Sequence, residues 1–462
     1  MAGAVICVSL HRPSSFLPHF VTTPSFPTQA TAHEVNSISM TGHDADSGFR
    51  PVQSERAWLY LGILAAGYIG VYLCRKNFAV AVPLLQEAWG ASRADVGLIA
   101  SVSTLAYASG KFIFGPLIDR FGGRVCFLLS LLGVAIFAGM GGLVTGLMAL
   151  TFVYSANRLT GSAAWGGMVK LVPDWFPAHR LPLAMAVLSL SFVFGGALAT
   201  LFAGEIAHWS GNNWRAVLAV PAIVLVVLIV VAALVLPKQA REVSHKTVLK
   251  KGPGQPVFSR VKQLIGIRRF WIVLGLSFGL TMFRETFNTW TVDFIKTEGG
   301  EEVSTRIAAM LATPFDLFGA VGIISLGWAF GRFSGKGRTV ILFVTLSSLT
   351  VLLWNIPNLF HLGLAPVAAA VGLIGFLSYG PYSLLAGILA VEIRGPAYVA
   401  TVAGFVDGTG YLASILAGRQ FGQIVDYGGY RLGFHVLAGI AGLCAVLCLF
   451  LYSGRKIEEV NS

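Results

Sequence analysis

Twelve long apolar segments follow one another along this chain, and they constrain it more than any other feature. They lie near residues 58–85, 95–117, 124–146, 148–171, 183–206, 214–236, 270–295, 306–330, 338–356, 363–391, 399–424 and 432–453. About 20 apolar residues cross the hydrocarbon core of a bilayer. In lipid only helices or closed barrels satisfy every backbone donor and acceptor, and these lengths fit helices. The chain therefore reads as an all-α integral membrane protein. Its charged fraction of 12% lies well below the roughly 25% of soluble domains.

Within this apolar background two charges stand out. Arg75, with Lys76 beside it, interrupts the first segment, WLYLGILAAGYIGVYLCRKNFAVAVPLL. Arg284 interrupts the seventh, and both head an R-x-x-F string, Arg75/Phe78 and Arg284/Phe287. A charge at that depth costs at least ~2.5–3.5 kcal/mol and as a rule faces the bundle interior for function. Two such cations at matching places in two halves point to one anion held between them.

Loop charge predicts the topology. The net charge is +12. Nine Lys and Arg face only Glu242 over 237–269, and the 331–338 loop adds Arg332, Lys336 and Arg338. Basic loops stay cytoplasmic, so the excess marks orientation and not nucleic-acid binding. The 296–305 loop, with Glu298, Glu301 and Glu302, falls outside, and both termini then face the cytoplasm. Of the five cysteines, Cys74, Cys126, Cys444 and Cys448 lie in or beside apolar spans and Cys7 in the N-terminal tail. None forms a C-x-x-C pair, and they read as small hydrophobes.

The linker divides the chain into residues 56–236, a first six-helix bundle, and 270–455, a second, with 237–269 between and a short tail at 456–462. A weak repeat supports the division. Gly115, Arg120 and Phe121 after the second span recur at the same offsets as Gly327, Arg332 and Phe333 after the eighth. Parallel halves of this kind bind substrate at the midplane between them. Residues 1–55, rich in Ser, Thr, Pro and His without periodicity, read as disordered. Either a targeting segment or a true start at Met40 accounts for them.

Gly115-Pro-Leu-Ile-Asp-Arg-Phe-Gly-Gly-Arg124 resembles the loop signature of the major facilitator superfamily, and Arg158-Leu-Thr-Gly161-Ser-Ala-Ala164 resembles a second one. The resemblance covers about residues 56–455. It implies twelve transmembrane helices in two pseudo-symmetric six-helix bundles, working by alternating access in the inner or plasma membrane, with Asp119, Arg120 and Arg124 as gating residues.

The stretch from Gly67 to Pro83 is similar to the first helix of the organophosphate:inorganic phosphate antiporters, such as the bacterial glycerol-3-phosphate and hexose-phosphate transporters. Tyr68, Tyr72, Arg75 and Lys76 stand at i, i+4, i+7 and i+8, which places them on one helical face. Belt tyrosines are the other reading, though a belt needs no alignment with an arginine. Tyr107 and Lys111 in the second span also match the family, with snorkelling of Lys111 as the alternative.

Arg284 and Trp290 keep the family's spacing. Adjacent residues diverge on a helix, which argues against an Arg284–Glu285 pair. By resemblance, Asp316 is a counter-charge to Lys76, and Tyr379 and Tyr411 face the site. A kink residue after Pro314, and plain packing, are the competing readings.

Departures from the family accompany these matches. A histidine of the fifth helix falls at Phe192, an acid of the seventh at Thr289, and a tyrosine one turn before Arg284 at Thr281. Glu285 and Asp407 are additional acids. The chain is thus expected to exchange a small organic phosphate or related anion for inorganic phosphate, as a monomer in the bilayer. Neither cofactor nor metal is implied, no nucleic acid is a partner, and no nucleophile–base set marks an enzyme. Two alternatives remain open. One is a proton- or sodium-coupled symporter using Glu285, Asp316 or Asp407, and the other is a sugar-phosphate sensor that does not transport.

Overall fold

The computed structural model describes residues 54–177, 180–237, 262–333, 335–385, 389–394 and 399–451. The expected N-terminal tail up to residue 53, most of the basic linker and the C-terminal tail lie outside the described residues. All of the described regular structure is helical. The first half holds α1 (Ser54–Trp89), α2 (Arg93–Phe121), α3 (Gly123–Gly141), α4 (Leu147–Leu171), α5 (Leu181–Trp209) and α6 (Trp214–Val235). The second holds α7 (Arg268–Glu298), α8 (Thr305–Ala312), α9 (Pro314–Arg332), α10 (Lys336–Asn355), α11 (Leu364–Leu384), α12 (Ala390–Arg394), α13 (Val399–Leu416) and α14 (Arg419–Leu449).

Local chemistry explains the boundaries. Ser92 and Asp95 form a reciprocal capping box at the start of α2, satisfying amides that have no partner within the helix. Gly122, at φ 87°, makes the sharp turn into α3 that a side chain would resist. Pro314 removes a backbone donor and divides one crossing into α8 and α9. Gly428 and Gly429 leave helical geometry inside α14, so its first turns complete the eleventh crossing and the remainder forms the twelfth.

Nine stretches among the described residues are long and apolar enough to span a membrane. One of them, Val402–Leu449, is 48 residues long and makes two crossings about the Gly428–Gly429 break. The other two crossings are α4 and α7, whose charged and polar residues lower their hydropathy. The protein is thus a twelve-helix, multi-pass membrane protein.

The halves repeat their internal packing. Pairs α2–α4, α1–α5 and α3–α6 of the first half correspond to α9–α11, α7–α13 and α10–α14 of the second. Between the halves, α2 packs on α13 and α14, α1 on α7, and α5 on α8 and α9. Glycines permit the α2–α14 approach: a Cβ on Gly97 would lie 2.6 Å from the Gly418 carbonyl oxygen, and one on Gly422 2.5 Å from that of Arg93. Small residues allow backbones to meet in this way where lipid offers no hydrophobic drive between helices. The outer face stays apolar, as Phe112, Leu143 and Leu234 illustrate. The four described cysteines are unpaired and buried.

Candidate functional site

A cavity of about 70 Å³ lies between the halves. From α1 it receives Tyr72, Arg75 and Lys76, from α7 Arg284, Glu285, Asn288 and Thr289, from α9 Asp316 and from α11 Tyr379. Two smaller lobes, of about 20 and 10 Å³, adjoin Tyr107. One is reached by Tyr411, Asp407 and Thr281, the other by Tyr68. The helical face of Tyr68, Tyr72, Arg75 and Lys76 is therefore turned inward. Tyr68 stands behind Tyr72, edge to face at 5.4 Å between ring centroids.

Lys76 Nζ donates to Asp316 and forms an ion pair across the halves. Asp316 is 4% exposed and also accepts from the Tyr379 hydroxyl at 3.1 Å. Gly196 makes room for it, since a Cβ there would lie 3.0 Å from the carboxylate. Stripping one partner from a buried pair costs ~3–5 kcal/mol, because the other charge stays buried and uncompensated. The Lys76–Asp316 pair thus holds the halves together at the centre.

Arg284 Nη2 donates to Glu285 Oε1 at 2.8 Å, which corrects the expectation that these neighbours do not pair. Their Cα–Cβ bonds diverge, but both long side chains bend into the same cavity, where each is the nearest counter-charge. The Arg284 guanidinium also lies over the Tyr382 ring, 4.2 Å from its centroid. Arg75 is differently placed. Among the described residues it has no acid within ion-pair distance, Glu285 being a more distant counter-charge, and its guanidinium sits 5.3 Å from the Tyr72 ring and 5.2 Å from that of Tyr107. Tyr154 fixes the backbone beneath it, donating to the Arg75 carbonyl at 2.7 Å while stacking on Phe78. Lys111 Nζ lies 5.5 and 5.3 Å from the Tyr107 and Tyr411 rings, within cation–π range.

The departures noted in the sequence also fall in the cavities. Phe192 and Thr289 line the main one and Thr281 a side lobe. Sequence reasoning missed Arg158 of α4 as a site residue. It lines all three lobes, and its position inside an apolar span was the signal available.

The residues expected to gate lie away from the cavity. Arg124 donates to the carbonyls of Ala233 and Leu236 at the end of α6, within its own half. Arg120 is exposed beside Phe121, and the Asp119 side chain lies outside the described residues. A set of inter-half bonds occupies the opposite end of the bundle. Asp293 accepts from Arg93 Nε at 2.8 Å and from Gln86 Nε2 at 2.9 Å across the halves, and from the Tyr430 hydroxyl within its own half. Asp426 accepts from the first amides of α2, Arg93 at 3.1 Å and Ala94 at 2.8 Å. Lys296 pairs with Glu87 and Arg306 with Glu205.

The family profile of the Major Facilitator Superfamily matches residues 64–418. The glycerol-3-phosphate transporter of Bacillus subtilis (strain 168) is 26% identical over 438 residues, covering 88% of this chain and 94% of that protein. Membrane sensor protein UhpC of Escherichia coli (strain K12) is 26% identical over 414 residues, covering 85% and 91%. Among solved structures, the bacterial homolog to the human lysosomal transporter Spinster, inward-facing and occupied, superposes with a TM-score of 0.71 at 14% identity, covering 88% of this chain and 98% of that one. At that identity the likeness is one of fold.

Proposed function

The chain belongs to the Major Facilitator Superfamily, a family of transporters and not of enzymes, and on that premise we propose that it exchanges an organic phosphate for inorganic phosphate by alternating access. The observation that carries this reading is the meeting of Arg75 and Arg284, one from each half, on a single cavity. A guanidinium donates two parallel bonds to an oxyanion, and two of them neutralise most of a phosphate dianion. The similarity to a glycerol-3-phosphate transporter supports a phosphate ester as the organic substrate.

An entering phosphate competes with Glu285 for Arg284 and with Asp316 for Lys76, and it gives Arg75 a partner. Its charge draws the halves together around it, the kind of differential contact through which a ligand shifts a conformational equilibrium. Closing the cavity without an anion leaves Arg75 buried with only the more distant Glu285, already bound to Arg284, as counter-charge, which is a costly arrangement. Exchange is thereby favoured over return of the unliganded carrier. With the basic loops cytoplasmic, the bonded face around Glu87, Arg93 and Lys296 is the outer one. The protein acts as a monomer with both termini inside the cell.

Counterflow of labelled phosphate in proteoliposomes, challenged with phosphate esters, phosphonates and carboxylates, tests the proposal. Uptake driven by internal phosphate and inhibited by phosphate esters is the expected result. Absence of counterflow by protein that still binds phosphate would instead favour the sensor reading, for which the likeness to UhpC speaks.

A further inference from the structure

Arg158 is the one arginine of the cavity that the phosphate clamp does not use. It is 6% exposed, and its Nη1 finds no hydrogen-bond partner among the described residues. Its guanidinium lies 4.7 Å from the centroid of the Tyr107 ring, and that of Arg75 lies 5.2 Å from the same point. One small molecule can therefore reach both. Arg75 and Arg158 are also the two residues common to the main cavity and both side lobes. The other cations of the main cavity have their own acids, Lys76 with Asp316 and Arg284 with Glu285. Arg158 has none within ion-pair distance among the described residues. A buried cation with an unpaired donor, aimed into a cavity, is a costly arrangement to keep without a ligand.

We propose that Arg158 seats a second anionic group, and that the organic substrate is a phosphate ester that also carries a carboxylate. The inference rests on the phosphate-exchange reading above. The phosphoryl group lies in the main cavity between Arg75 and Arg284, and the carboxylate meets Arg158 on the side of Tyr107 and Asn157, where the lining has no acid, and not on the side of Asp407 and Glu285. The lobes decide between carboxylate and second phosphoryl. The side lobes, at about 20 and 10 Å³, are much smaller than the main cavity of about 70 Å³, so the compact planar carboxylate is assigned to a side lobe and the bulkier tetrahedral phosphoryl to the main cavity. The substitutions at Phe192, Thr281 and Thr289 fit the same picture, since they leave the cavity with fewer partners for an uncharged polyol.

Two probes separate the effect of the carboxylate from that of size. Glycerol 3-phosphate and 3-phosphoglycerate differ only in a hydroxymethyl group replaced by a carboxylate. In the reconstituted full-length protein, the ratio of their inhibition constants against labelled phosphate does not depend on how much of a variant folds. We expect 3-phosphoglycerate to bind about tenfold or more tighter than glycerol 3-phosphate, the value of one buried charge-assisted hydrogen bond. In Arg158→Gln the ratio should fall to about one, and in Arg158→Lys to an intermediate value. A purely structural Arg158, needed only for its contact with Tyr107, would weaken both esters together and leave the ratio as in the wild type, which would overturn the inference. Equal affinities in the unmodified protein would overturn it as well, with the clamp left standing. Failure of inorganic phosphate and of both esters to compete at all would overturn the phosphate reading itself.

Discussion

Asp293 is where a single atom change should alter the balance between the two faces of the carrier. It is 2% exposed, yet it joins three elements of the inter-half contact: Gln86 at the end of α1, Arg93 at the start of α2 and Tyr430 of α14. In Asp293→Asn the amide oxygen still accepts from Gln86, but the charge opposite Arg93 is gone. The loss is felt only while this face is bonded, because on opening both groups are hydrated. A hydrogen bond to a charged group contributes ~1.5–3 kcal/mol, so the bonded form should lose between about tenfold and a hundredfold in relative population. A carrier that begins near 99:1 would then fall to between about 10:1 and parity. Spin labels at the exposed positions Trp209 and Tyr427, one on each half at this end, report the change as a pulsed-resonance distance distribution. The variant should show a second, longer population. Arg93→Gln should show the same one, and the double variant should add little, since both remove a single interaction. Unchanged distributions in a variant that elutes as a folded protein would refute the reasoning, and the Asp293 network would then be a packing feature with no part in the equilibrium.

The remaining predictions concern the cavity and the topology. Arg75→Lys and Arg284→Lys should each abolish most phosphate binding although the charge is kept, because lysine lacks the bidentate fork; near-normal affinity in equilibrium binding would remove the two-arginine clamp. Glu285→Gln should raise phosphate affinity by about tenfold, since it frees Arg284 from an internal competitor, and isothermal titration reads the sign directly. Phe192→His restores a protonatable donor to the cavity lining and should improve glycerol 3-phosphate binding over the unmodified protein, measured as inhibition of phosphate counterflow. Cysteines introduced at 245–255 should react with impermeant thiol reagents from the cytoplasmic side alone, and labelling of intact cells from outside would invert the orientation.

What the sequence made legible, and what it did not, divides along one physical line. Span length and the face shared by Tyr68, Tyr72, Arg75 and Lys76 are local properties, fixed by the rise and period of a helix. They were readable because no partner is needed to define them. The break between the last two crossings was equally local, with Gly428 and Gly429 inside the gap between the expected spans. Features that depend on two helices meeting were harder to see. The pairing of Arg284 with Glu285 contradicts a rule about Cβ directions because side chains of this length reach well beyond their Cβ atoms, and a shared cavity turned both the same way. Asp293 was not singled out in the sequence, and its burial follows from α2 and α14 closing over it through Gly97, Gly418 and Gly422.

Arg158 makes the same point for the site itself. In the sequence it belongs to a string that resembles a superfamily signature, and that reading absorbed it. Its place beside Tyr107 depends on the packing of α4 against α2, which brings two arginines distant in sequence to one ring. Arg75 attracted attention because a charge interrupts an unbroken apolar run, whereas Arg158 follows Asn157 in a helix already more polar, where a cation is less conspicuous. The same energetic argument applies to both. A buried guanidinium without an acid is stable only if something supplies the opposite charge. In this protein that something must be able to leave, because a transporter that paired all its cations internally would have little with which to draw an anion in.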